Sequence, residues 1–221
     1  MSRKAKIIRK TKTGKELYEA FGMTECSTFI SNSCSVKPDP EKIGKAQFGR
    51  RISILPIRSG EDPVPIGDCG LISIHRSDPG LMLGYSNIAK KRDECFRGNW
   101  FVSSDLGVMD KDGFVSYCGR VDDVITAGGF RVSPIEIEAF FMKLPEIENM
   151  VVTEIEIKKK VKIIVAFYIA KNKLRKSFLN KYAMSGLAKF KRPKFYIQCD
   201  SFPTNRNAKI SRRKMVLAKD C

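Results

Sequence analysis

At 221 residues and 43% apolar content, the chain is long enough for one large domain or two small ones and apolar enough for a real core; no run of about 18 apolar residues offers a transmembrane helix. Forty-one Lys and Arg against 24 acidic residues leave a net charge of +17, a field that attracts nucleic acid, anionic membrane or polyanionic small molecules. Seven cysteines without a C-x-x-C pair argue against a disulfide framework or zinc knuckle, and His75, the one histidine, excludes a His-rich metal site.

The first twenty residues are a basic lead-in without the apolar stretch of a secretory signal, so a cytoplasmic protein is expected. A short helix or strand ends near Leu17-Tyr18-Glu19-Ala20. Residues 43–85 read as β structure, with branched segments at Arg51–Leu55 and Gly70–His75. Turn formers bound them at Gly60-Glu61-Asp62-Pro63, Ile66-Gly67-Asp68 and Ser77-Asp78-Pro79-Gly80. Trp100-Phe101-Val102 and Gly113–Tyr117 continue the pattern, and Asp110-Lys111-Asp112-Gly113 predicts a tight hairpin connection. So much β character with little helix implies a barrel-like or sandwich arrangement of short strands.

Near Gly119 the pattern changes. Residues 121–132 predict a hairpin around Thr126-Ala127-Gly128-Gly129. Ser133 then reads as a helix N-cap, Pro134 as the first helical residue and Glu136 as the partner in a capping box, with the helix running to about Leu144, before Pro145. Strands near 149–157 and 162–169, a helix near 174–188 and a strand at Phe195-Tyr196-Ile197 complete a small α+β unit. The expected division is 1–121 and 122–221, α+β overall. Lys158–Lys160 and 189–194 are local basic clusters, but no RNP-like aromatic signature or helix-turn-helix pattern accompanies them, so nucleic acid is not the expected partner.

Four motifs stand in fixed order. Tyr18-Glu19-Ala20-Phe21-Gly22-Met23-Thr24-Glu25 resembles the Y-G-x-T-E motif of adenylate-forming enzymes, and Trp100-Phe101-Val102-Ser103-Ser104-Asp105 their W-x-x-T-G-D segment. Gly119-Arg120-Val121-Asp122-Asp123, continuing through Gly128-Gly129-Phe130-Arg131 to Pro134-Ile135-Glu136-Ile137-Glu138, is similar to their G-R-x-D-D…G-x-R-x-x-P-x-E-I-E motif. Pro203 to Arg212 resembles P-x-x-x-x-G-K-I-x-R, with Ala208 in the glycine place. Residues 75–85 favour the acyl- or aryl-CoA synthetase branch. The resemblance implies a β-barrel-like remainder of the large AMP-binding domain over 1–121 and a small lid domain over 122–221.

What the resemblance implies chemically is activation of a carboxylic acid with ATP and Mg²⁺ to an acyl-adenylate, then attack by coenzyme A and release of AMP. Thr24 would donate to a phosphate oxygen and Glu25 would offer a hard oxygen to Mg²⁺; read alone, the pair is a capped turn. Asp105 would accept both ribose hydroxyls, Arg120 and Arg131 would make further nucleotide contacts, and Asp122 would be the hinge on which the small domain turns. In isolation Asp105 is a turn residue and Arg120–Asp122 a surface ion pair worth about 0.2–1 kcal/mol. Gly128 and Gly129 would let the backbone approach the pantetheine arm of CoA, or simply form a hairpin turn. Lys209 would be catalytic, its ammonium bridging the substrate carboxylate and the α-phosphate; otherwise it is a solvated tail lysine.

The resemblance covers nearly the whole chain, and family members carry roughly 300 or more further residues, including a phosphate loop, before the first of these motifs. The expectation is therefore a C-terminal part of an acyl-CoA synthetase, inactive without an N-terminal complement, with a separate N-terminal synthetase chain as a candidate partner. The alternatives are a nucleotide- or CoA-binding remnant without turnover and a basic nucleic-acid binder.

Overall fold

In a computed structural model, residues 3–33, 38–86, 94–127, 129–158, 161–205 and 210–217 are described. They fall into two compact units, Met1–Val121 and Asp122–Cys221.

The first unit opens with helix α1 (Arg3–Thr13). Its Lys6 is buried, which a lysine tolerates only when paired, and its ammonium reaches Glu19 at 2.5 Å and the Pro40 carbonyl at 3.0 Å. A three-stranded antiparallel sheet follows: β1 (Ala20–Met23), β2 (Ser27–Ser31) and β3 (Lys45–Ala46). A second, five-stranded antiparallel sheet runs β4 (Ile52–Leu55), β5 (Cys69–His75), β7 (Trp100–Met109), β6 (Phe96–Arg97), with β8 (Val115–Arg120) also pairing β7. β5 lies between two neighbours and is buried at five consecutive positions, Gly70–Ile74. Ile54, Ile72, Ile74 and Phe101 join Phe29 and Ile30 of the first sheet in one apolar core.

The predicted connection between β7 and β8 is a tight turn in which Asp110 Oδ1 accepts from the amides of Asp112 and Phe114, both at 2.9 Å, while Gly113 takes φ +79°. Both sheets remain open among the described residues, so the barrel-like arrangement expected from the short strands does not close.

The second unit begins with the hairpin β9 (Ile125–Ala127) and β10 (Phe130–Val132), then helix α2 (Pro134–Phe141). Antiparallel β11 (Asn149–Lys158) and β12 (Val161–Ile169) follow; helix α3 (Lys176–Gly186) leads to β13 (Phe195–Gln198), which lies parallel to β12. Helix α4 (Arg212–Leu217) ends the described chain.

Period-two alternation gives this three-stranded sheet a core on each face. Val152, Ile164, Ala166 and Tyr168 pack with Ile137 and Phe141 of α2 and Leu179 and Ala183 of α3. Val151, Val165 and Phe167 face Cys199 and Met215 of α4.

Two expectations about α2 need correction. Ser133 occupies the N-cap and Pro134 the first turn, but the Ser133 side chain makes no capping bond, so the reciprocal capping box is not complete; Glu136 pairs with Lys191 Nζ at 2.5 Å. The helix also stops at Phe141 rather than near Leu144, because the backbone tightens into a turn in which the Leu144 amide donates to the Phe141 carbonyl at 2.9 Å, ahead of Pro145.

Candidate functional site

The turn between β1 and β2 carries Thr24 and Glu25. It is tight: the Cys26 amide donates to the Met23 carbonyl at 3.2 Å, and Ser27 takes the left-handed φ of +55°. Thr24 is exposed. Glu25 is tied at both ends, its carbonyl accepting from the Met82 amide at 2.7 Å and its Oε1 from the Tyr85 hydroxyl at 3.1 Å. Loss of hydration pushes the Tyr85 phenol up to about 12, and the Glu25 carboxylate adds to this, so Tyr85 stays a donor at neutral pH.

Gly22 permits the closeness of the hairpin. A Cβ there would lie 2.3 Å from the Ser27 carbonyl oxygen and 2.7 Å from Thr28 Cα, both backbone atoms that cannot swing aside. Gly22→Ala is expected to destabilise the chain by about 2 kcal/mol, seen as a lower urea midpoint at unchanged slope; an unmoved midpoint would refute the close approach.

Asp105 is presented by a bulge. Leu71 pairs with Leu106 and Ser73 with Val102, so Ser103, Ser104 and Asp105 all stand opposite Ile72. Ser103, buried, pins the bulge by donating to the Ile72 carbonyl at 2.6 Å and accepting from the Asp105 amide at 3.1 Å. Bulges of this kind re-aim a side chain beside a site. The half-buried Asp105 carboxylate accepts from the Tyr117 hydroxyl at 3.0 Å and faces the half-exposed Arg120 guanidinium at 3.7 Å. These are register partners, Asp105 opposite Arg120 on β7 and β8.

Tyr117 also joins the two sheets, its ring 5.5 Å from that of Phe21 on β1. The first unit therefore links Asp105, Arg120 and the Thr24–Glu25 hairpin through one tyrosine. Sequence reasoning had missed both tyrosines, although Tyr85 closes the segment His75–Tyr85 and Tyr117 stands two residues before Gly119-Arg120.

In the second unit, Asp122 lies in a single 3-10 turn, Val121–Asp123, where the chain leaves the first unit. Arg131 is exposed on β10, opposite Thr126. Gly129 takes φ +85° in the connection from β9 to β10 and has open space where a side chain would project, so its constraint is conformational. Gly128 and Lys209 lie outside the described residues.

The flanks of Lys209 are nonetheless fixed. Thr204 and Ile210 form an antiparallel bridge, and the Ser211 amide donates to the Pro203 carbonyl at 2.9 Å. Arg212, next in line, donates to Glu138 Oε1 at 2.7 Å and to the Val152 carbonyl at 3.2 Å, with Asp123 at 3.5 Å. Glu138 also accepts from the Val152 amide at 2.8 Å. Burial pushes the Glu138 carboxyl above its ordinary value of 4.5, against the pull of Arg212 and that amide.

Two clefts of about 430 Å³ open in the first unit, one lined by Lys45, Arg50 and Trp100 and the other by Ser31, Lys45 and Phe114. Neither lining includes Thr24, Glu25, Asp105 or Arg120. Among the described residues no three His, Cys, Asp or Glu side chains gather as a metal cage. A lone carboxylate such as Glu25 still fits Mg²⁺, which keeps most of its waters and takes one or two carboxylates beside phosphate oxygens.

This assembly of hairpin, bulge and small α+β unit matches known proteins. Residues 136–209 match the AMP-binding enzyme C-terminal domain. The chain is 31% identical over 144 residues to a mitochondrial acyl-coenzyme A synthetase of Homo sapiens, covering 65% of this chain and 25% of that protein. It is 28% identical over 200 residues to the 2-succinylbenzoate–CoA ligase of Bacillus velezensis, covering 90% and 40%. ATP-bound MatB from Rhodopseudomonas palustris superposes with a TM-score of 0.91 at 27% identity, over 99% of this chain and 44% of that one. The chain belongs to the adenylate-forming superfamily, with the acyl- and aryl-CoA synthetases, and corresponds to their C-terminal portion. It spans between a quarter and under half of the relatives it matches.

Proposed function

We propose that this chain supplies the nucleotide- and CoA-handling C-terminal part of a synthetase that converts a carboxylate, ATP and coenzyme A to acyl-CoA, AMP and pyrophosphate through an acyl-adenylate. The observation that carries this reading is Asp105 on its pinned bulge, one carboxylate oxygen held by Tyr117 and Arg120 opposite. A carboxylate fixed in this way offers two acceptor oxygens to a vicinal diol such as a ribose. Glu25 would hold Mg²⁺, which when bound neutralises phosphate charge; Thr24, exposed on the same turn, would donate to a phosphate oxygen.

In the second unit, Arg131 would contact the nucleotide, Gly128 and Gly129 would admit the pantetheine arm, and Asp122 would absorb the rotation between the two half-reactions. Lys209 would bridge the reacting carboxylate and α-phosphate. The acid and ATP are the expected substrates, with an N-terminal synthetase polypeptide as partner.

The test is pyrophosphate release and acyl-CoA formation with Mg·ATP, CoA and a panel of aliphatic and aromatic acids. The expected result is turnover when the polypeptide encoded immediately upstream is added. Absence of turnover with that polypeptide, together with absence of Mg·ATP binding, would overturn the reading.

A further inference from the structure

The Thr24–Glu25 turn is held from beneath by a buried ion pair that none of the four motifs contains. Arg50 follows β3, and Asp78 stands in the turn after β5. The Asp78 side chain is fully enclosed and that of Arg50 is 11% exposed. One guanidinium nitrogen of Arg50 contacts Asp78 Oδ1, and the other donates to the carbonyls of Cys26 at 2.8 Å and Thr28 at 2.7 Å. Those two carbonyls flank Ser27, the residue forced to positive φ.

Asp78 Oδ1 also accepts from the Gly80 amide at 2.8 Å, which orders the chain toward Met82 and Tyr85, the two partners of Glu25. A Cβ at residue 80 would meet the Arg50 guanidinium within 2.1 Å, so glycine is what lets the pair close. Asp78 Oδ2 is buried with no partner among the described residues, which makes the carboxylate dependent on Arg50 for compensation.

We propose that Arg50 and Asp78 are positioning residues for the reaction. A planar guanidinium that binds one carboxylate and two carbonyls at once fixes the β1–β2 turn and, through Asp78 and Gly80, brings Met82 and Tyr85 onto Glu25. Glu25 is thereby presented from two sides. The inference rests on the proposed assignment of Thr24 and Glu25 to Mg·ATP, and its test separates the two.

Hydrogen exchange on the full chain reads the turn directly. In Arg50→Met and in Asp78→Asn, the amides of residues 24–28 and 80–82 should exchange about tenfold faster or more, while those of β11 and β12 keep their protection. Arg50→Lys should not restore them, because one ammonium cannot span the three acceptors in a plane. The double variant should exchange no faster than either single one, as for two halves of one latch.

Mg·ATP titration followed at the same amides reads the role. The wild-type turn should gain protection with Mg·ATP, and each variant should need about tenfold more of it. Unchanged exchange of the turn in both variants would overturn the latch. A loosened turn with undiminished affinity for Mg·ATP would overturn the positioning role. A wild-type turn indifferent to Mg·ATP would sink the site assignment and the positioning role together, leaving the exchange arm to judge the latch by itself.

Discussion

Arg212→Met is expected to lower the stability of the second unit by about 3 kcal/mol at pH 7. Arg212 is the one cation bonded to Glu138 among the described contacts, and it ties α2, β11 and Asp123 of the 3-10 turn to the start of α4. Its removal leaves a carboxylate that is mostly buried, with the Val152 amide as its one remaining partner among the described residues. The cost is that of an uncompensated buried charge, far above the small value of an exposed ion pair.

The sign of the pH dependence follows from the raised Glu138 pKa. Burial holds this carboxyl above its ordinary 4.5, and loss of Arg212 raises it further. A group whose folded pKa exceeds its unfolded value contributes stability that is fully present below the unfolded pKa and is lost as pH rises through the folded one. The deficit of Arg212→Met should therefore be greatest at neutral pH and shrink as pH falls through the raised pKa of Glu138, where the carboxylate takes up a proton. Adding Glu138→Gln should recover much of the loss at pH 7, a coupling measurable by urea denaturation of the four members of a double-mutant cycle. A deficit that does not change with pH and is not relieved by Glu138→Gln would mean that Arg212 acts through packing alone.

The latch explains a limit of sequence reading. The order of strands and helices in the second unit was legible because its signals are local: branched runs, turn formers, and a proline opening a helix. Asp105 was legible for the same reason, as a residue in a recognisable segment. The bulge that presents it was not, because a two-residue offset against Ile72 depends on how β5 and β7 register, which no short window records.

Long-range partners were equally hidden. Glu136 and Glu138 stand two apart in one motif, yet the first serves Lys191 at the surface and the second is buried beneath Arg212. Spacing predicts a capping box for the first and says nothing of the second. Arg50 and Asp78 are 28 residues apart, in segments that read as an ordinary strand flank and an ordinary turn. Tyr85 entered only as the last residue of the segment 75–85 and Tyr117 in no motif, although they touch the two carboxylates on which the chemistry is expected to depend.

Lys209→Ala is expected to reduce acyl-adenylate formation by about 10²–10³-fold in the reconstituted enzyme while leaving the melting temperature of the chain unchanged. The two halves of that expectation have separate physical grounds. The described residues on either side of Lys209 have ties of their own: the Thr204–Ile210 bridge, the Ser211–Pro203 bond and the contact of Arg212 with Glu138. Truncating the side chain should then remove a positive charge while those flanking ties persist. During adenylation a carboxylate and a triphosphate, both anionic, must approach, and negative charge redistributes over the α-phosphate as the bond to pyrophosphate breaks. A compact ammonium on a flexible stem can follow that redistribution between two oxygens; a guanidinium fork is matched to one planar partner, so Lys209→Arg should not restore the rate. Thioester formation from preformed acyl-adenylate lacks the step in which these anions meet and should fall much less. Rapid-quench measurement of the two half-reactions decides the matter: equal losses in both would assign Lys209 to general placement of the second unit, and an unchanged first half-reaction would return it to the class of solvated lysines that supply the chain with its net charge of +17.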